Sequence, residues 1–146
     1  MSAARRIAAI AACAVAALTG TAFGQVPPAA RLSARLQAID APAAITRGEA
    51  ATAVLELRNT GTEPWPAGGA VRLSYHWRQA DGSDAGFESP RTPLPAAVLP
   101  GDTVRMCALV VAPDTPGPLR LDWELVKEGV AWFGWRDPAS ILQHAV

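Results

Sequence analysis

Cysteine is nearly absent from this chain. There are two, and Cys13 lies in an N-terminal stretch with the pattern of a removable leader, so the folded protein keeps only Cys107. One thiol makes no internal disulfide, and packing alone must hold the fold. Cys107 falls in the apolar run VRMCALVV, where a half-buried structural thiol is expected, with no histidine nearby in sequence to activate it. Histidine is equally scarce. His76, expected on the wet face of its strand, and His144 in the tail are the only neutral-pH bases. Two scattered histidines and one cysteine do not reach the ligand spacing of a transition-metal site. The DGSD stretch at 81–84 lacks the rest of a calcium loop and its bidentate Glu. No nucleophile elbow, phosphate-binding loop or paired-glycine fingerprint is present. Metal, cofactor and catalytic residues are therefore all expected to be none.

An excess of charge of either sign is also missing. Thirteen basic residues face 13 acidic ones, and loss of Arg5 and Arg6 with the leader turns a net zero into a net −2. Such a domain has no electrostatic footprint for nucleic acid or anionic lipid. Nearly all the basic residues are arginine and alanine is abundant, which fits the coding bias of a GC-rich bacterium.

Long hydrophobic runs are missing too. The run from Ile7 to Leu18 is shorter than the roughly 20 residues that span a bilayer. It follows Arg5 and Arg6 and ends in small residues, Ala22 and Gly24. That order marks a secretory signal peptide over 1–24. The expected location is periplasmic or secreted, with no membrane insertion of the mature chain. A linker (25–30), one domain (31–137) and a short C-terminal tail (138–146) follow.

A sustained amphipathic helix is the last absence, and period-two alternation stands in its place. In AVRLSYHW, Val71, Leu73, Tyr75 and Trp77 face one way while Arg72, Ser74, His76 and Arg78 face the other. ATAVLELRNTG, TVRMCALVVAP and LRLDWELV alternate likewise. Glu128-Gly129 signals a hairpin into a final strand, VAWFGWR. FESPRTPLP holds at best a short edge strand, because of its prolines. RLSARLQAID fits a strand or a helix stripe and is assigned as the first strand, since everything after it is β. The tail ASILQHAV is expected to fray. About seven short strands with frequent turns predict an all-β, immunoglobulin-like antiparallel β-sandwich without a disulfide. Tyr75, Trp77 and Trp123 are its expected core aromatics, packed against Ala53, Leu55 and Leu57 of the opposite sheet. Asp122 and Glu124 share a strand face, with Cα atoms about 6.6–7 Å apart. They are expected to pair with Arg72, Arg78 and Arg120 rather than to act as an acid/base couple.

The ordered motifs RNTGTEPWP, HW, LPGDTV, VAPDTPG and LDWELVKEGVAWFG resemble the four-tryptophan immunoglobulin-like domain first described in a selective-autophagy cargo receptor. They are more similar still to bacterial modules appended to glycosyltransferases and methyltransferases of cell-surface polysaccharide clusters. The resemblance covers Leu55 to Arg136 and implies a non-catalytic recognition or packing module. A leader stands where those modules carry an enzyme, so the domain is expected to act alone or through a partner outside the cytoplasm.

Three tryptophans are candidates for binding. Trp65 lies between two prolines in a loop and is the leading surface candidate. Trp132 and Trp135 differ by three, so on a regular strand they fall on opposite faces and one points outward. The expected partner is a glycan or an envelope protein. The alternative is assembly through an exposed sheet edge.

Overall fold

The computed structural model describes residues 29–85 and 89–146. The expected signal peptide and most of the expected linker lie outside the described residues. The strands, in chain order, are β1 (Ala34–Asp40), β2 (Ala50–Asn59), β3 (Val71–Arg78), β4 (Thr92–Pro93), β5 (Thr103–Val111), β6 (Arg120–Lys127), β7 (Ala131–Trp132) and β8 (Leu142–Ala145). A single helical turn, α1 (Phe133–Arg136), and a 3-10 turn, Pro138–Ser140, separate β7 from β8. One antiparallel sheet has the order β1-β2-β5. The other has the order β4-β3-β6-β7, with β8 also on β6. The fold is an all-β, immunoglobulin-like sandwich.

The two inner faces follow from the alternation. Ala53, Leu55 and Leu57 of β2 and Met106, Ala108 and Val110 of β5 meet Leu73, Tyr75, Trp77, Leu121, Trp123 and Leu125 of β3 and β6 in one core. Tyr75 stands opposite Trp123 in the β3–β6 register, and their rings meet edge-on at 5.1 Å. Such aromatics bury about 150–250 Å² each, which is how a disulfide-free domain of this size fills its centre.

Polar ends of these core aromatics tie the sheets together. The Val111 N–H donates to the Tyr75 hydroxyl at 2.9 Å, and Trp77 Nε1–H donates to the Val111 carbonyl at 2.9 Å. Burial pushes the Tyr75 phenol pKa up, against the opposing pull of the Val111 N–H.

The loop motifs have structural reasons. The buried Asn59 side chain donates to the carbonyls of Glu63 at 2.7 Å and Val98 at 3.1 Å. It accepts from Gly61 N–H at 3.0 Å. A Cβ on Gly61 would sit 2.2 Å from the Arg31 carbonyl oxygen, so the chain passes there only as glycine. Trp65 and Val98 exchange both backbone bonds, at 3.0 and 2.9 Å.

Several expectations require correction. The last strand does not run through VAWFGWR. It stops at Trp132, and α1 lifts the chain off β6. The tail does not fray, because β8 returns to pair with Arg120–Trp123 of β6. The last strand is thus one edge strand broken by a helical bulge. The outer face of β3 and β6 is only partly wet: Ser74, Asp122 and Glu124 are buried, while Arg72, His76, Arg78 and Arg120 are half-buried. The bulge and the chain around Ser89 and Arg91 cover part of it. Cys107 is exposed rather than half-buried. Its neighbours Met106 and Ala108 occupy the core, so alternation sends the thiol outward.

Candidate functional site

The covered outer face of β3 and β6, and the edge where β7 gives way to α1, hold most of the polar chemistry. Two carboxylates, Asp122 and Glu124, are only 7% and 5% exposed there. Arg120 grips Asp122 with two bonds, Nε to Oδ1 at 2.6 Å and Nη2 to Oδ2 at 3.1 Å. Arg78 adds a contact to Asp122 at 3.7 Å. Glu124 does not meet an arginine. Its Oε1 lies 3.1 Å from His76 Nε2, and its Oε2 accepts the Gly134 N–H at 2.9 Å. Arg72 Nε is buried without a hydrogen bond among the described residues. The expected rows of arginine–carboxylate pairs therefore reduce to Asp122 with Arg120 and Arg78.

His76 is correspondingly not a solvated strand residue. Its ring centroid lies 4.4 Å from that of Trp132. The Arg91 guanidinium sits over the same indole at 4.6 Å, within cation–π range. Arg91 also pairs with Glu128 at 3.2 Å and donates to Ser74 Oγ at 2.8 Å and the Ser89 carbonyl at 3.1 Å. Trp132 is therefore half-buried, its ring already in contact with a histidine and an arginine. Arg91 fastens the chain before β4 to β3, to the β6–β7 turn and to Trp132 at once.

Trp135 differs from every other described tryptophan. It projects from α1 and is 76% exposed. Val130, just after the Gly129 turn, is 58% exposed. A shallow groove of about 230 Å³ runs between them, lined also by Arg91, Glu128 and Trp132. Trp132 and Trp135 thus share one groove, because α1 replaces the strand geometry that would place them on opposite faces. Trp65 is elsewhere. It is 1% exposed and packs edge-on against Phe133 at 5.5 Å. Its ring offers nothing to a ligand, since it is buried against Phe133 while its backbone pairs with Val98. Tyr75, Trp77 and Trp123 are fully buried.

The bulge carrying Trp135 is itself pinned. Asp137 accepts from Ser33 Oγ at 2.6 Å and from Arg35 Nη1 at 2.9 Å, and it caps the 3-10 turn through Ala139 N–H at 3.1 Å. The Ser33 hydroxyl first and the Arg35 guanidinium second hold its carboxyl down to about 2. Ser140 Oγ accepts the Ala34 N–H at 2.9 Å. The bonds from Arg35 and Ala34 come from β1 of the opposite sheet and that from Ser33 comes from the residue before it, so α1 is a fixed platform.

Arg91, Glu128 and Val130 were not legible as site residues. Arg91 is hidden in a proline-rich segment, and Glu128 reads in the sequence only as half of a turn. Val130 carried one signal, an apolar residue placed directly after a glycine turn. Among the described residues no three His, Cys, Asp or Glu side chains gather as metal ligands. No described helix is long and apolar enough to cross a membrane.

Two solved structures similar to this chain are distant from it in sequence. The sporulation control protein Spo0M from Bacillus subtilis is 15% identical, with a TM-score of 0.50, over 78% of this chain and 48% of that one. This chain thus spans about half the length of that protein. The ASH/PapD-like domain 7 of human CEP192 is 13% identical, with a TM-score of 0.32, over 90% of this chain and 92% of that one. The likeness to Spo0M shows the fold alone. No curated protein sequence matches this chain. Residues 38–139 match the family model described as the Ig-like domain from next to BRCA1 gene, and the chain belongs to that Ig-like family.

Proposed function

We propose that this domain is an exported, non-catalytic recognition module of a bacterial cell envelope. Its binding surface is the groove between Val130 and Trp135, and its ligand is an envelope glycan. One observation carries the reading: a tryptophan 76% exposed on a platform pinned to both sheets. An exposed indole of this kind costs solubility and suits stacking on the apolar face of a sugar ring. The Arg91–Glu128 pair beside it supplies fixed donors and acceptors for hydroxyls. Export rests on the leader pattern of residues 1–24. The envelope setting rests on the resemblance to modules of polysaccharide clusters.

The test is a titration of the protein with envelope polysaccharide fragments, followed by calorimetry and tryptophan fluorescence. Saturable binding that Trp135→Ala abolishes, with the fold intact by circular dichroism, supports the reading. If no glycan binds and an envelope protein is retained through Trp135 instead, the ligand is a protein. If Trp135→Ala changes neither kind of binding, the groove is not the site.

A further inference from the structure

Val130 stands between two grooves. One is the groove toward Trp135, already described. The other, on the far side of Val130, has a volume of about 460 Å³ and is lined by residues 29–32, Glu63, Val130 and Arg136. That volume falls in the range of small-ligand clefts. Trp135 and Arg136 are consecutive on α1, and each lines one of the two grooves. The pinned platform thus offers an indole on one side of Val130 and a guanidinium on the other. The charges around Val130 are unequal. Arg31, Arg91, Lys127 and Arg136 stand against Glu63 and Glu128. Both carboxylates are already matched, Glu63 with Lys127 and Glu128 with Arg91 at 3.2 Å. Arg31 and Arg136 remain. Arg31 is held in place: its main-chain N–H donates to Thr62 Oγ1 at 2.8 Å, and its Nη2 donates to the Thr60 carbonyl at 2.8 Å. Arg136 is exposed, with no hydrogen bond or ion pair to any described residue. The carboxylate next to it in sequence, Asp137, is committed to Ser33 and Arg35.

We infer that the glycan is acidic. One sugar ring stacks on Trp135, and the carboxylate of an adjoining uronic acid residue lies beyond Val130 against Arg136 and Arg31. This rests on the glycan reading and adds the charge of its ligand. The planar fork of a guanidinium matches a carboxylate with two parallel bonds, which a neutral hydroxymethyl group cannot reproduce. The chain as a whole has equal numbers of basic and acidic residues, so two unmatched guanidiniums in one groove are a local excess that selects an anion. They are too few to follow a nucleic acid backbone, where binding draws on many phosphate contacts. Both lie at the surface, so salt screens their attraction. Stacking on the indole carries no such dependence, which separates the two contributions.

Calorimetry with glucuronan and galacturonan tetrasaccharides, and with the same compounds after reduction of their carboxylates to primary alcohols, tests this. At low salt the acidic forms should bind about tenfold more tightly than the reduced ones, and added salt should shrink the difference. Arg136→Gln should remove most of that preference and Arg136→Glu should reverse it. Circular dichroism should be unchanged in both, because the side chain is exposed and unpaired among the described residues. Trp135→Ala should weaken acidic and reduced forms alike. Equal binding of the two forms overturns the inference and leaves the glycan reading standing. So does an acid preference that Arg136→Glu leaves untouched, since the carboxylate would then be read elsewhere. If neither form binds, the acidic ligand is overturned. Binding of neutral envelope polysaccharide fragments through Trp135 then keeps the glycan reading, and no binding of those either removes both.

Discussion

The backbone N–H of Gly134 donates to the Glu124 carboxylate at 2.9 Å, and this bond lies where the last strand leaves the sheet. Glu124 stands on the stretch of β6 between the residues paired to β7 and those paired to β8. Its side chain takes the place of a backbone partner. The site has no room for a methyl group: a Cβ on Gly134 would lie 2.6 Å from Ile141 Cδ1 and 2.8 Å from Glu124 Oε2. Gly134→Ala should therefore cost about 1–3 kcal/mol by overpacking. Urea denaturation of the two proteins measures it, and an unchanged midpoint would show that the bulge relaxes freely.

Asp137 sets the acid limit of the same bulge. Its carboxyl is held down to about 2 by Ser33 and Arg35, against about 3.9 in an unfolded chain. A depressed carboxylate pKa contributes stability above the unfolded value and loses it as pH falls toward the folded one. Wild type should thus lose stability relative to Asp137→Asn between about pH 4 and 2, and the gap should be constant from pH 5 to 7. Denaturation midpoints across that range test this. A gap that opens on acidification instead would contradict the assignment. The pair is partly exposed, so added salt should narrow the gap.

Asn59 is the polar counterpart of the aromatic core. Replacing it by Ala removes the acceptor for Gly61 N–H and the donor to the Glu63 carbonyl. The cost should be about 2–4 kcal/mol. Asn59→Asp should be worse at neutral pH, because a carboxylate would face the Glu63 and Val98 carbonyls. It should recover partly in acid, where the protonated group donates again. Thermal melts of the two variants at pH 7 and pH 4.5 separate these outcomes.

Alternation carries the fold because side-chain direction on a strand has no freedom beyond two. Tyr75, Trp77 and Trp123 could thus be assigned to one inner face, and the pairing of β3 with β6 followed. The same rule failed at Trp132 and Trp135, where one buried carboxylate ten positions away recruits a backbone N–H and turns strand into helix. Nothing local to AWFGW announces that. Trp65 failed for a related reason: flanking prolines fix a loop's backbone but not the side on which its ring lies. The wet face expected on β3 is partly covered by Arg91, whose partners Ser74, Glu128 and Trp132 are distant in sequence.

The five tryptophans should therefore separate into distinct energetic classes. Trp65→Ala empties a site 1% exposed and breaks the contact with Phe133. It should cost about 3–5 kcal/mol, enough to unfold much of a marginal domain. Trp135→Ala removes a ring from water and should shift stability by no more than about 0.5 kcal/mol. Trp132→Ala should fall between, since it gives up its ring contacts with His76 and Arg91. Acrylamide quenching provides the independent measure. One tryptophan should be fully accessible, and that component should vanish in Trp135→Ala alone. Two accessible indoles in the wild type would mean that Trp132 opens in solution and that Arg91 does not hold it.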